Sequence, residues 1–149
     1  MKKLLIATIL ASVTGLASAA DVTLSTGHNT ATNQNMVGLS TTLAKSGPLG
    51  VVVGADRSTS GVESVNRVHA ALTADVAKVW GTTVTARAGG VYLDRSVQDS
   101  GIAAVVGVSA AYPLTKSVSA VADFSYQYAT DRNRDLNGSV VAVGLRVAF

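Results

Sequence analysis

Two histidines, His28 and His69, are the side chains of this 149-residue sequence best suited to general acid or base chemistry. A hydrolytic site needs a nucleophile beside a histidine and an acid that orients the histidine. Ser25 and Thr26 lie just before His28, and Glu63 is the only glutamate, but these residues form no recognisable catalytic spacing. We therefore predict no catalytic residue and no enzyme.

Composition argues against several other kinds of site. The chain has no cysteine and its carboxylates are scattered, so no metal ligands are predicted. Its 14 glycines form no phosphate-binding loop at a strand-to-helix junction, so no cofactor is predicted. Without residues 1–20 the chain carries ten basic and nine acidic side chains. That balance offers no concentrated basic face, and we predict no nucleic-acid partner.

An aspartate followed by an arginine recurs three times, at Asp56-Arg57, Asp94-Arg95 and Asp131-Arg132. Guanidinium groups bind phosphate well, so these arginines and a fourth nearby are candidate contacts to a phosphate-bearing ligand. The candidates are Arg57, Arg95, Arg132 and Arg134. The neighbouring aspartates leave a second interpretation open, in which each arginine pairs within its own repeat.

Alternation of apolar and small or polar residues predicts the elements that position these side chains. No apolar run after residue 20 approaches the ~18 residues of a transmembrane helix. The pattern instead predicts eight strands, at 21–29, 35–44, 49–57, 65–77, 82–93, 102–112, 117–129 and 139–149. The last strand alternates most clearly, with one apolar face made of Val141, Val143, Leu145, Val147 and Phe149.

Seven charged or titratable residues fall on the small-residue face of these strands: Asp56, Arg67, His69, Asp75, Arg87, Asp123 and Arg146. A water-exposed face would carry many more lysines and glutamates. Small residues with a few mutually neutralising charges suit the interior of a narrow barrel whose apolar face meets lipid. We therefore predict an all-β fold, a closed eight-stranded antiparallel up-and-down transmembrane β-barrel. The interior charges would either seal the barrel as a salt-bridge plug or line a narrow water path.

Residues 1–20 have the features of a cleaved signal peptide. Met1-Lys2-Lys3 is a positive start, Leu4 to Val13 is apolar or small, and Ala17-Ser18-Ala19 supplies small residues for cleavage after Ala19 or Ala20. Residues 21–149 then form one barrel domain that is exported through the periplasm.

The two ends of the predicted barrel differ in their connections. Lys45, Lys78 and Lys116 lie in short turns, whereas the aspartate–arginine repeats lie in longer polar connections at the other end. Short turns face the periplasm in outer-membrane barrels and longer loops face outward. The lysines are therefore predicted on the periplasmic side and the repeats outside.

The alternating last strand, which ends in Phe149, resembles the assembly signal of bacterial outer-membrane barrels. Eight strands in residues 21–149 are similar to the OmpA transmembrane domain and the OmpX/Ail group, and residues 90–114 resemble YfaZ-type proteins. The resemblance implies location in the bacterial outer membrane. It also implies three partners, which are outer-membrane lipid, lipopolysaccharide and the barrel assembly machinery.

Three functions follow as hypotheses. The preferred one is a non-enzymatic barrel that supports envelope integrity or contacts lipopolysaccharide and surface ligands through its loop-end arginines. The second is a narrow pore for small solutes or ions. The third is a lipid-modifying outer-membrane enzyme, although His69 is predicted inside the barrel, where a lipid substrate could not reach it. The oligomeric state stays open.

Overall fold

The structure is a computed structural model that describes residues 21–59, 64–96, 100–129 and 137–149. The predicted signal peptide lies outside these residues. The eight strands are Asp21–Asn29 (β1), Gln34–Ser46 (β2), Leu49–Ser58 (β3), Val65–Val79 (β4), Thr82–Arg95 (β5), Gly101–Pro113 (β6), Val118–Ala129 (β7) and Gly138–Ala148 (β8). None of the described residues forms a helix that is long and apolar enough to cross a membrane.

Each strand pairs antiparallel with the next one along the chain, and β1 pairs with β8. The seam between the first and last strands runs from Asp21 opposite Ala148 to Asn29 opposite Val140. The sheet is therefore a closed barrel without a free edge. This confirms the predicted fold class.

Three strands run two residues further than the alternation predicts, to Ser46 in β2, Val79 in β4 and Arg95 in β5. β2 and β4 each contain a β-bulge, between Thr42 and Ala44 in β2 and between Asp75 and Ala77 in β4. A bulge inserts one extra residue and reverses which positions face inward. The period-two pattern therefore breaks at the bulge although the strand continues.

Tight connections gather at one end of the barrel. Gly47 and Pro48 join β2 to β3, Trp80 and Gly81 join β4 to β5, and residues 114–117 join β6 to β7. The connection at 30–33 lies at the opposite end, where β3, β5 and β7 also end. We call these the turn end and the loop end.

Large apolar side chains cover the outside of the wall. Every strand contributes at least one exposed example: Leu24, Val37, Leu49, Leu72, Tyr92, Ile102, Phe124 and Leu145. An apolar surface of this extent promotes association in water but is well solvated by lipid chains. The barrel thus has the exterior of a membrane-spanning wall.

Candidate functional site

The lumen contains a cavity of about 120 Å³. Its wall includes all seven residues that the sequence analysis assigns to the interior: Asp56, Arg67, His69, Asp75, Arg87, Asp123 and Arg146. Small side chains such as Ser25, Gly38, Ser40 and Ala142 separate them. The volume suits water molecules or a small ion and is well below the ~300 Å³ at which pockets for organic ligands begin.

One ion pair crosses the middle of the lumen. Nη2 of Arg87 on β5 lies 2.6 Å from Oδ1 of Asp123 on β7, and both side chains are less than one fifth exposed. The strand between them, β6, places Gly107 and Ser109 opposite Arg87 and Thr85. Their small size leaves room for the guanidinium to reach over β6.

A second group surrounds Asp56 of β3. Its Oδ2 lies 3.3 Å from Nδ1 of His69 and 4.0 Å from Nε of Arg67, both on β4. A Cβ atom on Gly38 of β2 would overlap the Asp56 carboxylate, so a larger residue there would force the carboxylate to move. Nη1 of Arg67 also donates to the sulfur of Met36 at 3.3 Å.

The turn end of the lumen carries two further pairs. Nζ of Lys45 lies 2.7 Å from Oδ2 of Asp75, and the Thr85 hydroxyl donates to the same carboxylate at 2.8 Å. Nε of Arg146 lies 3.7 Å from Oδ2 of Asp21. The bulge in β2 places Lys45 on the lumen side. The lumen charges neutralise one another locally, an arrangement that favours a salt-bridge plug over a water path.

The loop end of the lumen is packed with apolar side chains, a feature that the sequence analysis missed. The cluster comprises Val65, Val91, Leu93, Ala103 and Ala129, none more than 3% exposed. The sequence does contain a signal for this cluster. The alternate positions of β5 that face inward run from Arg87 and Gly89 on to Val91 and Leu93, so these two apolar residues should also face inward. This apolar layer lies at the loop end of the lumen beside buried polar side chains such as Asn29, Gln34 and Gln127.

The first two aspartate–arginine repeats are oriented oppositely in the barrel wall: the aspartate faces the lumen in the first, and the arginine does so in the second. Asp56 faces the lumen, so its neighbour Arg57 faces outward and is exposed. On β5 the inward positions are Val91, Leu93 and Arg95, and Arg95 is only 8% exposed. A side chain this buried offers no surface to an outer phosphate, so Arg95 leaves the candidate set. Arg132 and Arg134 lie outside the described residues.

Arg57 stands apart from the acidic residues. Its register neighbours are Val37 on β2 and Asn66 on β4, and it makes no ion pair with any residue that the structure describes. Pairing with Asp56, the alternative that the sequence left open, is prevented because the two side chains lie on opposite sides of the wall.

The histidines are not arranged for catalysis. Nδ1 of His28 lies 3.0 Å from Oδ1 of Asn35 on the exposed rim. His69 and Ser40 both flank Gly54 inside the lumen, but no hydrogen bond joins them within the described residues, so the hydroxyl is not activated. No group of three His, Cys, Asp or Glu side chains in the described ranges could hold a metal ion.

Neither a known protein-family profile nor a curated protein matches the sequence. Solved structures do match. The N-terminal β-barrel domain of Pseudomonas aeruginosa OprF is 13% identical, with 88% of this chain and 97% of that chain covered and a TM-score of 0.73. The outer membrane protein OprG of Pseudomonas aeruginosa is 10% identical, with 88% and 93% covered and a TM-score of 0.60.

The outer membrane protein Ail of Yersinia pestis is 12% identical, with 88% of this chain and 99% of that chain covered and a TM-score of 0.56. At such identities the likeness concerns the fold. The fold of this chain is therefore that of the small eight-stranded outer-membrane barrels, which confirms the resemblance that the sequence indicates.

Proposed function

We propose that this chain is an integral bacterial outer-membrane barrel with a non-enzymatic role in the envelope, in which Arg57 contacts lipopolysaccharide phosphates. One observation carries the proposal: Arg57 lies on the lipid-facing side of the wall at the loop end, without an ion-pair partner among the described residues. A guanidinium in that position suits a phosphate of the outer leaflet.

The neighbourhood of Arg57 supports this contact. Asn66 lies opposite Arg57, and Asp94 lies opposite Asn66, which makes a polar strip across three strands on the outer wall. The side chain of Tyr92 is exposed one step further into the wall, and those of Tyr126 and Tyr128 are exposed near the loop end of β7. Tyrosine favours the level of the headgroups, so the polar strip would lie among the phosphates.

The lumen supports a structural role over transport. The apolar layer around Leu93 and the ion pair between Arg87 and Asp123 both take up space inside the barrel, which favours the structural role. The proposal includes export by the signal peptide at 1–20. It also includes recognition of the last strand by the barrel assembly machinery. The candidate side chains are exposed on the outer face: Val141, Val143, Leu145, Val147 and Phe149.

The first test is the migration of boiled and unboiled protein from outer-membrane fractions on a denaturing gel. A closed membrane barrel resists detergent until it is heated, so a heat-dependent shift is expected. Protein found in the soluble periplasmic fraction would contradict the proposal.

The second test measures binding of the folded barrel to lipopolysaccharide in detergent. Arg57→Gln should weaken binding about tenfold, the effect of losing one charge-assisted hydrogen bond to phosphate. The triple variant with Arg132→Gln and Arg134→Gln should weaken it further and increase the sensitivity of cells to detergent. Lys45→Gln, at the opposite end, is the matched control because Lys45 is already paired with Asp75. Unchanged binding by the triple variant would remove lipopolysaccharide from the proposal.

A further inference from the structure

The β4–β5 hairpin projects beyond β3 at the turn end. Pairing of β4 with β3 ends at Ala74, yet β4 continues to Val79 and pairs there only with β5. The projecting part exposes Val76 and Val79, 60% and 49% exposed. These fractions match those of the lipid-facing side chains of the wall.

Trp80 occupies the tip of this hairpin in an unfavourable conformation. Its φ is +48° and that of Gly81 is +82°, the positive pair that a type I′ turn requires. Asparagine or glycine suits the first position, whereas a bulky residue there is strained. Trp80 is 95% exposed, so packing within the chain does not compensate for the strain. Its indole is therefore free to contact groups outside the protein.

The charge at the turn end is positive and unpaired. Lys78 and Lys116 are exposed and have no ion-pair partner among the residues that the structure describes. The described aspartates at this end, Asp21 and Asp75, face the lumen and are held by Arg146 and Lys45. Lys78 lies two residues before Trp80 in the chain, and Lys116 lies in the β6–β7 turn at the same end of the barrel.

We propose that the turn-end rim, made of Lys78, Trp80, Tyr112, Leu114 and Lys116, binds anionic phospholipid headgroups of the leaflet on that side. Tyr112 and Leu114 are 53% and 54% exposed and continue the lipid-facing wall into the rim. Indole rings settle at the headgroup level, and lysine ammonium groups attract lipid phosphate. Because the rim continues the lipid-facing wall, we expect its binding partner to be lipid. The inference rests on the membrane placement proposed above.

Trp80 is the only tryptophan of the chain, so intrinsic fluorescence reports on the rim alone. The barrel is folded into phosphatidylcholine vesicles that contain a trace of headgroup-labelled phosphatidylglycerol or of phosphatidylcholine with the same label. Energy transfer from Trp80 should be greater to the anionic lipid. The preference should amount to about fivefold per lysine at low ionic strength and decline with added salt.

The double variant Lys78→Gln/Lys116→Gln should abolish the preference. Lys45→Gln, which removes a lysine already bound to Asp75, should leave it unchanged. Equal transfer to both lipids by the folded wild-type barrel would overturn the rim proposal, as would a preference that persists in the double variant. If the double variant does not fold, the salt dependence of the wild type decides. The heat-dependent gel shift is measured on every sample, so a barrel that never inserts is distinguished from a rim that does not bind.

Discussion

Arg87 and Asp123 form an ion pair at 2.6 Å although β6 lies between their strands. The pair lies in the wall of the lumen cavity and joins β5 to β7 from the inside. Both side chains are shielded from water, with exposed fractions of 19% and 15%. Removing one member of such a pair lowers the stability of the protein strongly, because the other charge is left buried without a partner.

Asp123→Asn should lower the free energy of unfolding by about 3 kcal/mol, because it leaves the Arg87 guanidinium uncompensated in the lumen. Urea unfolding of the barrel in lipid vesicles measures the change. The double variant Arg87→Met/Asp123→Leu should recover most of the loss, because it removes both charges.

Lys45→Gln serves as the control for a more exposed pair. The side chains of Lys45 and Asp75 are 49% and 27% exposed, so water already screens their 2.7 Å contact. The expected loss is about 0.5 kcal/mol. Equal losses for Lys45→Gln and Asp123→Asn would contradict the distinction between the two pairs.

Gly107→Ala should destabilise the barrel by about 1–3 kcal/mol, since the added Cβ would lie 2.6 Å from the Phe124 carbonyl oxygen and 2.7 Å from Cβ of Ser125. Gly90→Ala is the matched control on the neighbouring strand. Its Cβ would meet only the Ala103 carbonyl oxygen, at 3.9 Å. The same urea titration should show this variant to be as stable as the wild type, and equal midpoints for the two alanine variants would refute the steric argument.

Leu93 is fully buried in the apolar layer at the loop end of the lumen. Leu93→Ala should cost about 2–5 kcal/mol, whereas Leu72→Ala, on the lipid-facing wall, should cost less. Wild-type protein in a planar bilayer should show no stepwise conductance, because the apolar layer and the Arg87–Asp123 pair both take up space inside the barrel. Reproducible single-channel steps from the wild type would reinstate the pore hypothesis.

Trp80 allows a test of backbone strain separate from lipid binding. Trp80→Ala and Trp80→Asn both remove the indole, but asparagine tolerates the positive φ of this turn position better. The asparagine variant should therefore be more stable than the alanine variant by roughly 0.5–1 kcal/mol. Thermal unfolding in one detergent compares the two directly, and an asparagine variant no more stable than the alanine variant would show that the turn is not strained.

Much of the fold follows from the sequence because the period of a strand is short and local. The last four strands alternate cleanly, and their apolar faces point outward as the pattern predicts. The bulges at Thr42–Ala44 and Asp75–Ala77 escaped prediction. A bulge depends on how neighbouring strands fit together, which no local pattern records.

The aspartate–arginine repeat shows where sequence reasoning about a site fails. Arg57 and Arg95 follow equivalent aspartates, yet one faces outward and the other is buried. Their orientation depends on a difference of one residue in strand phase, and a similar string of letters does not reveal it. Counting alternate positions onward from Arg87 would have placed Arg95 inside.

Because β1 pairs with β8, the first and last residues of the barrel lie next to each other in the wall. Asp21 lies opposite Ala148, so a short peptide could link Phe149 to the start of β1. Opening the chain between Gly47 and Pro48 would then give a circular permutant with the same eight neighbours around the wall. Residues 141–149 would become internal in such a permutant. In such a permutant the strand keeps its position in the barrel but no longer ends the polypeptide, so the effects of the two can be measured separately.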